Sequence, residues 1–223
     1  MRLAAIDLLR LIASVTYFIN PQLFPILITR MVRLSLAHGN SSFAANGYML
    51  YGMLLCGALE DFGKGHAFGK LGFEIIQAYP STSLTGKMSM IWGTFVAHWT
   101  EPYRDCARFL LNSWRPSLDG GDLEYSAYSV LQSFSMAFLS GHELDKLLSR
   151  YEESINWLHS SKQLQSRPLL DSWLQSTINL VDRARVVPAA TGSVFDLPAE
   201  LPGLISTGNK IAIAYSCLAD GIM

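Results

Sequence analysis

The sequence predicts an all-α protein made of stacked antiparallel helical hairpins. Apolar residues recur at intervals of three and four through most of the 223 residues, which is the period of an amphipathic helix. Short turns with glycine, proline, asparagine or aspartate separate these segments, and no segment is a convincing β-strand. A hairpin-like pattern also occurs twice, which is typical of a repeat protein.

The pattern is clearest in residues 39–79, which are expected to form two helices joined by a short turn. The first, 41–59, is apolar on nearly every face, so we expect neighbouring helices to cover it on both sides, above all over 48–55. The second, which ends near Tyr79, carries an apolar stripe along one face. Two antiparallel helices with a short connection form a helical hairpin.

Two helices are predicted before this hairpin. The first covers about 2–19. Asn20 is the expected N-cap of the second and Pro21 its first residue, although a start nearer Pro25 fits the pattern as well. Residues 11–29 carry no charge and approach the length of a membrane span, but Pro21 and Pro25 interrupt their middle. We therefore expect two buried helices here rather than a membrane span.

Further helices are expected downstream, at about 84–100, 103–115, 123–139, 144–158 and 168–181. A long loop, 187–203, contains three of the nine prolines and precedes a last helix, 204–219. The predicted organisation is a helical-repeat region, 1–186, then the loop, then 204–223 as the truncated start of a further hairpin.

A degenerate repeat supports this architecture. The segments 39–45 and 121–127 share a glycine, a short polar cap and an aromatic residue followed by small residues. An apolar helix follows each of them, and then a Gly-His pair, at Gly65-His66 and at Gly141-His142. Two hairpins of about 41 residues fit this spacing, which lies between tetratricopeptide (TPR) and HEAT repeat lengths of roughly 34 to 47 residues. The expected fold is therefore a TPR-like α-solenoid.

The composition excludes several classes of protein. Charged residues are 16% of the chain, the net charge is −1, and lysine and arginine are scattered, so no nucleic-acid footprint is present. Cys56, Cys106 and Cys217 are far apart and odd in number, which argues against a disulfide framework or a zinc site and favours a reducing cytoplasm.

The motifs that resemble catalytic signatures are incomplete. Gly86-Lys87 has Met88 where a phosphate-binding loop needs a hydroxyl, and Ser81 where it needs its first glycine. Asp61-Phe62-Gly63 spells a kinase motif, but the H-R-D and glycine-rich loops that a kinase requires are absent. We therefore predict no catalytic residue, no cofactor and no metal site, and hence no enzyme activity for this chain.

One candidate binding strip remains, formed by His98, Trp99, Arg104 and Arg108. Arg104 and Arg108 share a helix face at a spacing of four, which suits an acidic or phosphorylated ligand. The alternatives are a core histidine at position 98 and a solvated arginine face.

The chain resembles one family over nearly its whole length. The segments that carry the resemblance are AHGNS at 37–41, YMLYG at 48–52, FVAHW at 95–99, GDLEY at 121–125 and GSVFD at 192–196. They are similar to the helical segment of very large hybrid signalling kinases of cyanobacteria and related bacteria. In that family a serine/threonine kinase domain and an AAA-type ATPase module precede the helical segment, and GAF and histidine-kinase domains follow it.

The resemblance implies a non-catalytic helical-repeat scaffold or regulatory segment of a signal-transduction kinase, and a chain that is a fragment of it. The implied partners are proteins or neighbouring domains of the same polypeptide, with no nucleic acid and no membrane. If the last helix lacks its downstream partner, the apolar stripe at 204–218 is expected to cause self-association. The alternative is an independent helical ligand-binding domain or enzyme with a pocket near His98, Trp99 and Arg104.

Overall fold

The protein is all-α in the computed structural model, which describes residues 2–160, 167–182 and 191–221. Within these residues the only β-type pairing is an isolated bridge between Thr191 and Asp196. The chain divides into two compact units, Met1–Ser126 and Ala127–Met223. The helices are α1 (Arg2–Ile19), α2 (Phe24–His38), α3 (Ser42–Leu59), α4 (Phe62–Ala78), α5 (Thr82–Ile91), α6 (Tyr103–Asp119), α7 (Leu123–Leu139), α8 (Leu144–Ser160), α9 (Arg167–Asp182), α10 (Leu197–Ser206) and α11 (Lys210–Gly221).

The first two helices pack against each other and against α3. The start of α2 at Asn20-Pro21 is wrong, because both residues precede the helix, and the alternative start near Pro25 is confirmed, since the helix begins at Phe24 with Pro25 in its first turn. The prediction that both helices are buried is wrong for the outer side of α1, since Leu11 and Val15 are exposed there. The break at 20–23 confirms that residues 11–29 do not form one helix.

The α3–α4 hairpin is the core of the first unit. Ser41 caps α3 by accepting a hydrogen bond from the Ala44 N–H, and Asp61 caps α4 by accepting one from the Lys64 N–H. Only Glu60, in the left-handed region at φ 55°, and Asp61 connect the two helices. Helix α3 packs against α1, α2, α4 and α5, as its apolar faces predict.

Glycines allow α3 and α4 to approach at backbone distance. A Cβ on Gly52 would lie 2.6 Å from the Gly65 carbonyl oxygen, and one on Gly65 would lie 2.3 Å from the Cys56 sulfur. A Cβ on Gly69 would lie 2.5 Å from the Trp92 ring. These contacts leave no room for a side chain, so the spacing of the two helices depends on glycine.

The helix predicted at 84–100 is continuous only as far as Ile91. A π-helical turn, Trp92–Val96, and a 3₁₀ turn, Ala97–Trp99, follow it. Single π turns within helices are frequent at functional sites. Helix α6 then returns along α5 and extends to Asp119, four residues beyond its predicted end.

The second unit contains the hairpins α8–α9 and α10–α11. The Tyr151 hydroxyl on α8 donates a hydrogen bond to the Leu170 carbonyl on α9, and both residues are buried. Several hydroxyl side chains are buried along α9, including Ser172, Ser176 and Thr177, each donating to a carbonyl three or four residues earlier. Small back-bonded side chains of this kind let helices pack closely without leaving an unpaired hydroxyl.

The predictions for the end of the chain need three corrections. Residues 197–203 of the predicted loop are helical in α10, which Asp196 caps at the Ala199 N–H; residues 187–190 lie outside the described residues. The single helix predicted at 204–219 is broken at Gly208, where φ is 67°. Helix α11 is also not without a partner, because it packs against α9 and α10. Leu204 is buried, whereas Leu218 remains exposed.

One helix in the described part of the chain, Ser42–Leu59, is long and apolar enough to cross a membrane by length and composition alone. Of this helix, 56% is buried inside the structure. The same apolar composition is expected of a helix that neighbours cover on all sides.

Candidate functional site

The turns between α5 and α6 bring together histidine, carboxylate and aromatic side chains from distant parts of the sequence. His66 on α4 lies with its Nε2 2.9 Å from the Glu101 Oε1, and its ring centroid is 4.9 Å from that of Trp92. The carboxylate fixes the orientation of the imidazole, as in many functional sites where a second group holds a histidine. His66 and Glu101 are 35 residues apart.

His98 occupies the 3₁₀ turn and is half-buried. Its ring centroid lies 4.8 Å from that of Trp99 and 5.7 Å from that of Tyr103. The Nδ1 atom is buried and makes no hydrogen bond to any described residue. Burial lowers the pKa of His98 below its ordinary value, because the surroundings disfavour the charged imidazolium. His98 is therefore held as a neutral imidazole at neutral pH, with a buried Nδ1 atom that has no hydrogen-bond partner among the described residues.

An aromatic surface, which we define as Phe62, Trp99 and Tyr103, lies beside His98. The rings of Phe62 and Trp99 are stacked, with centroids 4.5 Å apart and planes 14° apart. Trp99 is 46% exposed and Tyr103 is 41% exposed. Large aromatic side chains held by neighbouring rings and still open to solvent are typical of protein-binding surfaces.

The predicted strip is partly assembled in the structure. His98 and Trp99 are in contact, and Arg104 follows Tyr103 directly in the chain, exposed at the start of α6. Arg108, one turn further along the same helix, is exposed and pairs with the Asp105 carboxylate. The guanidinium of Arg108 is therefore compensated within its own helix, and its charge contributes less to an anion site than the spacing suggested.

Phe62, His66, Glu101 and Tyr103 were not identified as site residues from the sequence. Phe62 and His66 belong to α4, and only the tertiary packing of α4 against the π turn brings them close to the α5–α6 connection. Glu101 and Tyr103 flank Pro102, which the sequence marks only as a helix boundary. The signal for this site in the sequence was a carboxylate and two aromatic side chains around a short break between two helices.

The buried thiols near this region are not activated. Burial raises the pKa of Cys106 to about 11, with the carboxylates of Glu101 and Asp105 adding to the effect. Burial also raises the pKa of Cys56. Both thiols are therefore protonated at neutral pH and are not nucleophilic thiolates. In the described residues no group of three or more histidine, cysteine, aspartate or glutamate side chains is placed to hold a metal ion.

Lys87 is a buried charged residue of the first unit. It lies within α5, not in a loop, and is 6% exposed. Its Nζ donates a hydrogen bond of 2.6 Å to the Ser14 Oγ on α1 and lies 4.7 Å from the centroid of the Tyr125 ring. Burial, and then the positive charge of Arg10, lower the pKa of Lys87 to about 8. The helical backbone at Gly86-Lys87 forms no phosphate-binding nest.

An open pocket of about 490 Å³ lies on α2. Its lining residues are Arg30, Arg33, Leu34, Leu36, Ala37 and His38. All six belong to one helix, so the pocket is a surface depression and is separate from the residues around His98.

We expect acid to destabilise the first unit through His98. The unfolded chain takes up a proton at the ordinary pKa near 6.5, whereas the folded chain does so only at a lower pH. Because the unfolded state then binds more protons, the free energy of unfolding falls as the pH drops below 6.5. Urea unfolding between pH 7 and pH 5 measures this slope, which His98→Gln is expected to reduce. His38→Gln, at an exposed histidine of α2, is the matched control; equal slopes in wild type and His98→Gln would contradict the assignment.

Comparison with protein-family models, curated proteins and solved structures found no match to this chain.

Proposed function

We propose that this protein is a non-catalytic helical scaffold that binds a protein partner on the aromatic surface of Phe62, Trp99 and Tyr103. The proposal includes the family that the sequence resembles: the chain is a TPR-like regulatory segment of a multidomain signalling kinase in the cytoplasm. Its partner is a neighbouring domain of that polypeptide or a protein that docks on it.

The proposal rests on one observation: Trp99 and Tyr103 are exposed while neighbouring rings hold Trp99 in place. Tryptophan, tyrosine and arginine dominate the energetic centres of protein interfaces, and Arg104 lies at the start of the helix next to these rings. The stacked Phe62 ring and the neighbouring His98 hold Trp99 in place, so little side-chain entropy is lost on binding. The matching partner segment is apolar at its centre and acidic at its edge.

The succession of helices supports a TPR-like arrangement. In the first unit α1 packs on α2, α3 on α4 and α5 on α6, which is the pairing of three consecutive hairpins. The second unit adds the pairs α8–α9 and α10–α11. A protein of stacked helical hairpins presents extended surfaces that partners can bind, and this role requires no catalytic residue.

The experiment begins with the coding sequence and its neighbours. Reading frames for an ATPase upstream and for a histidine kinase downstream are expected. Those two flanking domains, purified, are then titrated against the 223-residue chain by isothermal calorimetry. We expect one of them to bind, and the double variant Trp99→Ala/Tyr103→Ala to weaken binding by about thirtyfold or more, since the loss of one hot-spot residue costs about 2 kcal/mol.

The matched control for this titration is Tyr79→Ala, which removes another exposed aromatic side chain of the first unit. It is expected to leave the affinity unchanged. The absence of the flanking reading frames would overturn the kinase-segment part of the proposal. Binding that survives in the double variant would overturn the aromatic surface as the docking site.

The unpaired Nδ1 of His98 favours a second candidate, which is a small effector site near His98, Trp99 and Arg104. A carboxylate-bearing effector is the ligand class that Arg104 and His98 would favour, provided that the side chains above the buried Nδ1 move aside to admit it. Acetate, citrate and inorganic phosphate are suitable probes, and the His98 ring nitrogen resonances are the readout. Unchanged resonances at millimolar concentrations of all three probes would count against this candidate.

A further inference from the structure

The outer face of α1 is apolar from Ala4 to Ile19. Its six large side chains are between 39% and 75% exposed, and none of the exposed residues in 4–19 is charged. The opposite face is buried in the first unit, where Ile6, Ala13 and Thr16 lie. The exposed set on this outer face is Ala4, Ala5, Leu8, Leu11, Ile12, Val15, Phe18 and Ile19; Tyr17 is also exposed but does not belong to it, since its ring packs against Phe24 and Phe95.

The spacing of this set is that of a coiled-coil seam. Positions 4, 8, 11, 15 and 18 alternate steps of four and three, which are the a and d positions of a heptad repeat. Positions 5, 12 and 19 follow the d positions directly and widen the stripe. Ordinary surface helices of a soluble monomer place charged residues on the outer side, so this face requires a cover.

The set is also symmetric about its centre. If a second α1 lies antiparallel across a two-fold axis between residues 11 and 12, each residue of the outer-face set meets another member of that set. Leu8 lies opposite Val15, Leu11 opposite Ile12, and the small Ala4 and Ala5 opposite the large Ile19 and Phe18. Small side chains thus face large ones at both ends, as close helix packing requires.

From this symmetry we propose that α1 pairs with α1 of a second copy, antiparallel and about a two-fold axis, to form a homodimer. An isologous interface of this kind uses the same surface on both subunits. Since the stripe carries no charge, pairing brings no like charges together. The charged neighbours Asp7 and Arg10 compensate each other within one helix, with 2.6 Å between Arg10 Nη2 and Asp7 Oδ1.

The size of the face sets the expected affinity. The exposed stripe is roughly 24 Å long at 1.5 Å per residue. Its side chains expose on the order of 600 Å², against about 800 Å² per partner in a standard interface. The dimer is therefore at the small end of stable interfaces, and we expect it to dissociate in the micromolar range.

A membrane surface fits this face less well than a second copy. Amphipathic helices that lie on anionic membranes carry lysine and arginine beside the apolar face. The exposed residues of 4–19 contain neither. Vesicle binding nevertheless belongs in the test, because it would identify lipid as the cover.

The test is sedimentation velocity of the full chain from 0.5 to about 100 µM, a range chosen to bracket the expected dissociation constant. Wild type is expected to change from monomer to dimer. Leu8→Glu/Val15→Glu places glutamates opposite each other both in the proposed antiparallel pairing and in a parallel in-register pairing, and is expected to remain monomeric. Leu8→Glu/Val15→Lys has the same substituted positions, but antiparallel pairing sets each glutamate opposite a lysine, so this variant is expected to dimerise.

Both substituted positions are more than half exposed, so the variants are expected to fold, as circular dichroism and melting temperature would show. Leu218→Glu, on the exposed side of α11, is the control for self-association through residues 204–218 and is expected to dimerise like wild type. Loss of the dimer in Leu218→Glu would place the interface on α11 instead.

Three further results would overturn the proposal. They are a wild-type monomer at 100 µM, dimerisation of Leu8→Glu/Val15→Glu, and monomeric behaviour of Leu8→Glu/Val15→Lys. A wild-type monomer that sediments with phosphatidylcholine–phosphatidylglycerol vesicles would assign the face to lipid.

Discussion

Replacement of Gly52 by alanine is expected to destabilise the protein by about 3 kcal/mol, the upper part of the range for overpacked cores. The added Cβ would lie 2.6 Å from the Gly65 carbonyl oxygen and 3.0 Å from the Gly69 backbone nitrogen. Both contacts are with backbone atoms, so no rotamer change relieves them, and α4 must move away from α3. Urea unfolding followed by circular dichroism measures the loss, and a melting temperature roughly 10 °C lower is expected.

Gly57→Ala is the matched control for this substitution. Gly57 lies in the same helix, and a Cβ there would meet no atom within 4 Å. Alanine at this position removes backbone freedom from the unfolded chain and is expected to stabilise the helix by about 0.5–1 kcal/mol. If the two variants have equal stability, the close glycine contact between α3 and α4 is not present in solution.

Lys87→Met is expected to stabilise the protein at pH 7 and to remove a pH dependence that wild type shows. In the folded chain the pKa of Lys87 is about 8, whereas in the unfolded chain it is near 10.5. The difference corresponds to about 3 kcal/mol at 1.36 kcal/mol per pH unit. This is the cost of keeping the ammonium buried with a hydroxyl and a ring as its neighbours.

The sign follows from proton binding. Between pH 8 and pH 10.5 the unfolded chain holds more protons on Lys87 than the folded chain, so the free energy of unfolding rises with pH. Below pH 8 both states are protonated and the cost is constant. Cys106 has the opposite effect on the free energy of unfolding from about pH 9. Burial raises the pKa of the folded thiol to about 11, so the unfolded thiol loses its proton at a lower pH and the free energy of unfolding falls.

The measurement is therefore best made from pH 7 to pH 9, where Cys106 contributes little. Wild type is expected to gain stability over this interval, and Lys87→Met is expected to show a smaller change from a higher starting value. Lys70→Met, at an exposed lysine of α4, is the control and is expected to follow wild type. A Lys87→Met variant that is less stable than wild type at pH 7 would mean that the ammonium stabilises the fold.

The sequence predicted the helices more successfully than their ends and contacts. The all-α class and the hairpin at 39–79 follow from periodicity and capping residues, both of which are local. The sequence left two starts open for α2, because Asn20-Pro21 and Pro25 are equally good local signals; the structure has the start near Pro25. The π turn at Trp92–Val96 leaves no mark in the hydrophobic pattern, because Trp92 and Val96 stay buried when the helix widens.

The candidate site was less accessible to prediction because its groups converge through tertiary packing. His98 and Trp99 were identified because they are adjacent in an aromatic segment. His66 and Glu101 were not identified, since nothing in two single residues 35 positions apart indicates a hydrogen bond. The outer face of α1 shows a different limit. Its heptad spacing is present in the sequence, but the sequence does not show whether these apolar residues face the solvent or the core. The structure shows that they face the solvent.

The two-residue connection between α3 and α4 also determines the order in which the chain can fold. Contacts between these helices close short loops, for which the entropic cost is small, so this hairpin is expected to form first. The hydrogen bond from Lys87 to Ser14 joins residues 73 positions apart and has to wait for α5. During synthesis the hairpin is complete once residue 78 has left the ribosome, so it can shield the apolar faces of α3 before the rest of the chain is made.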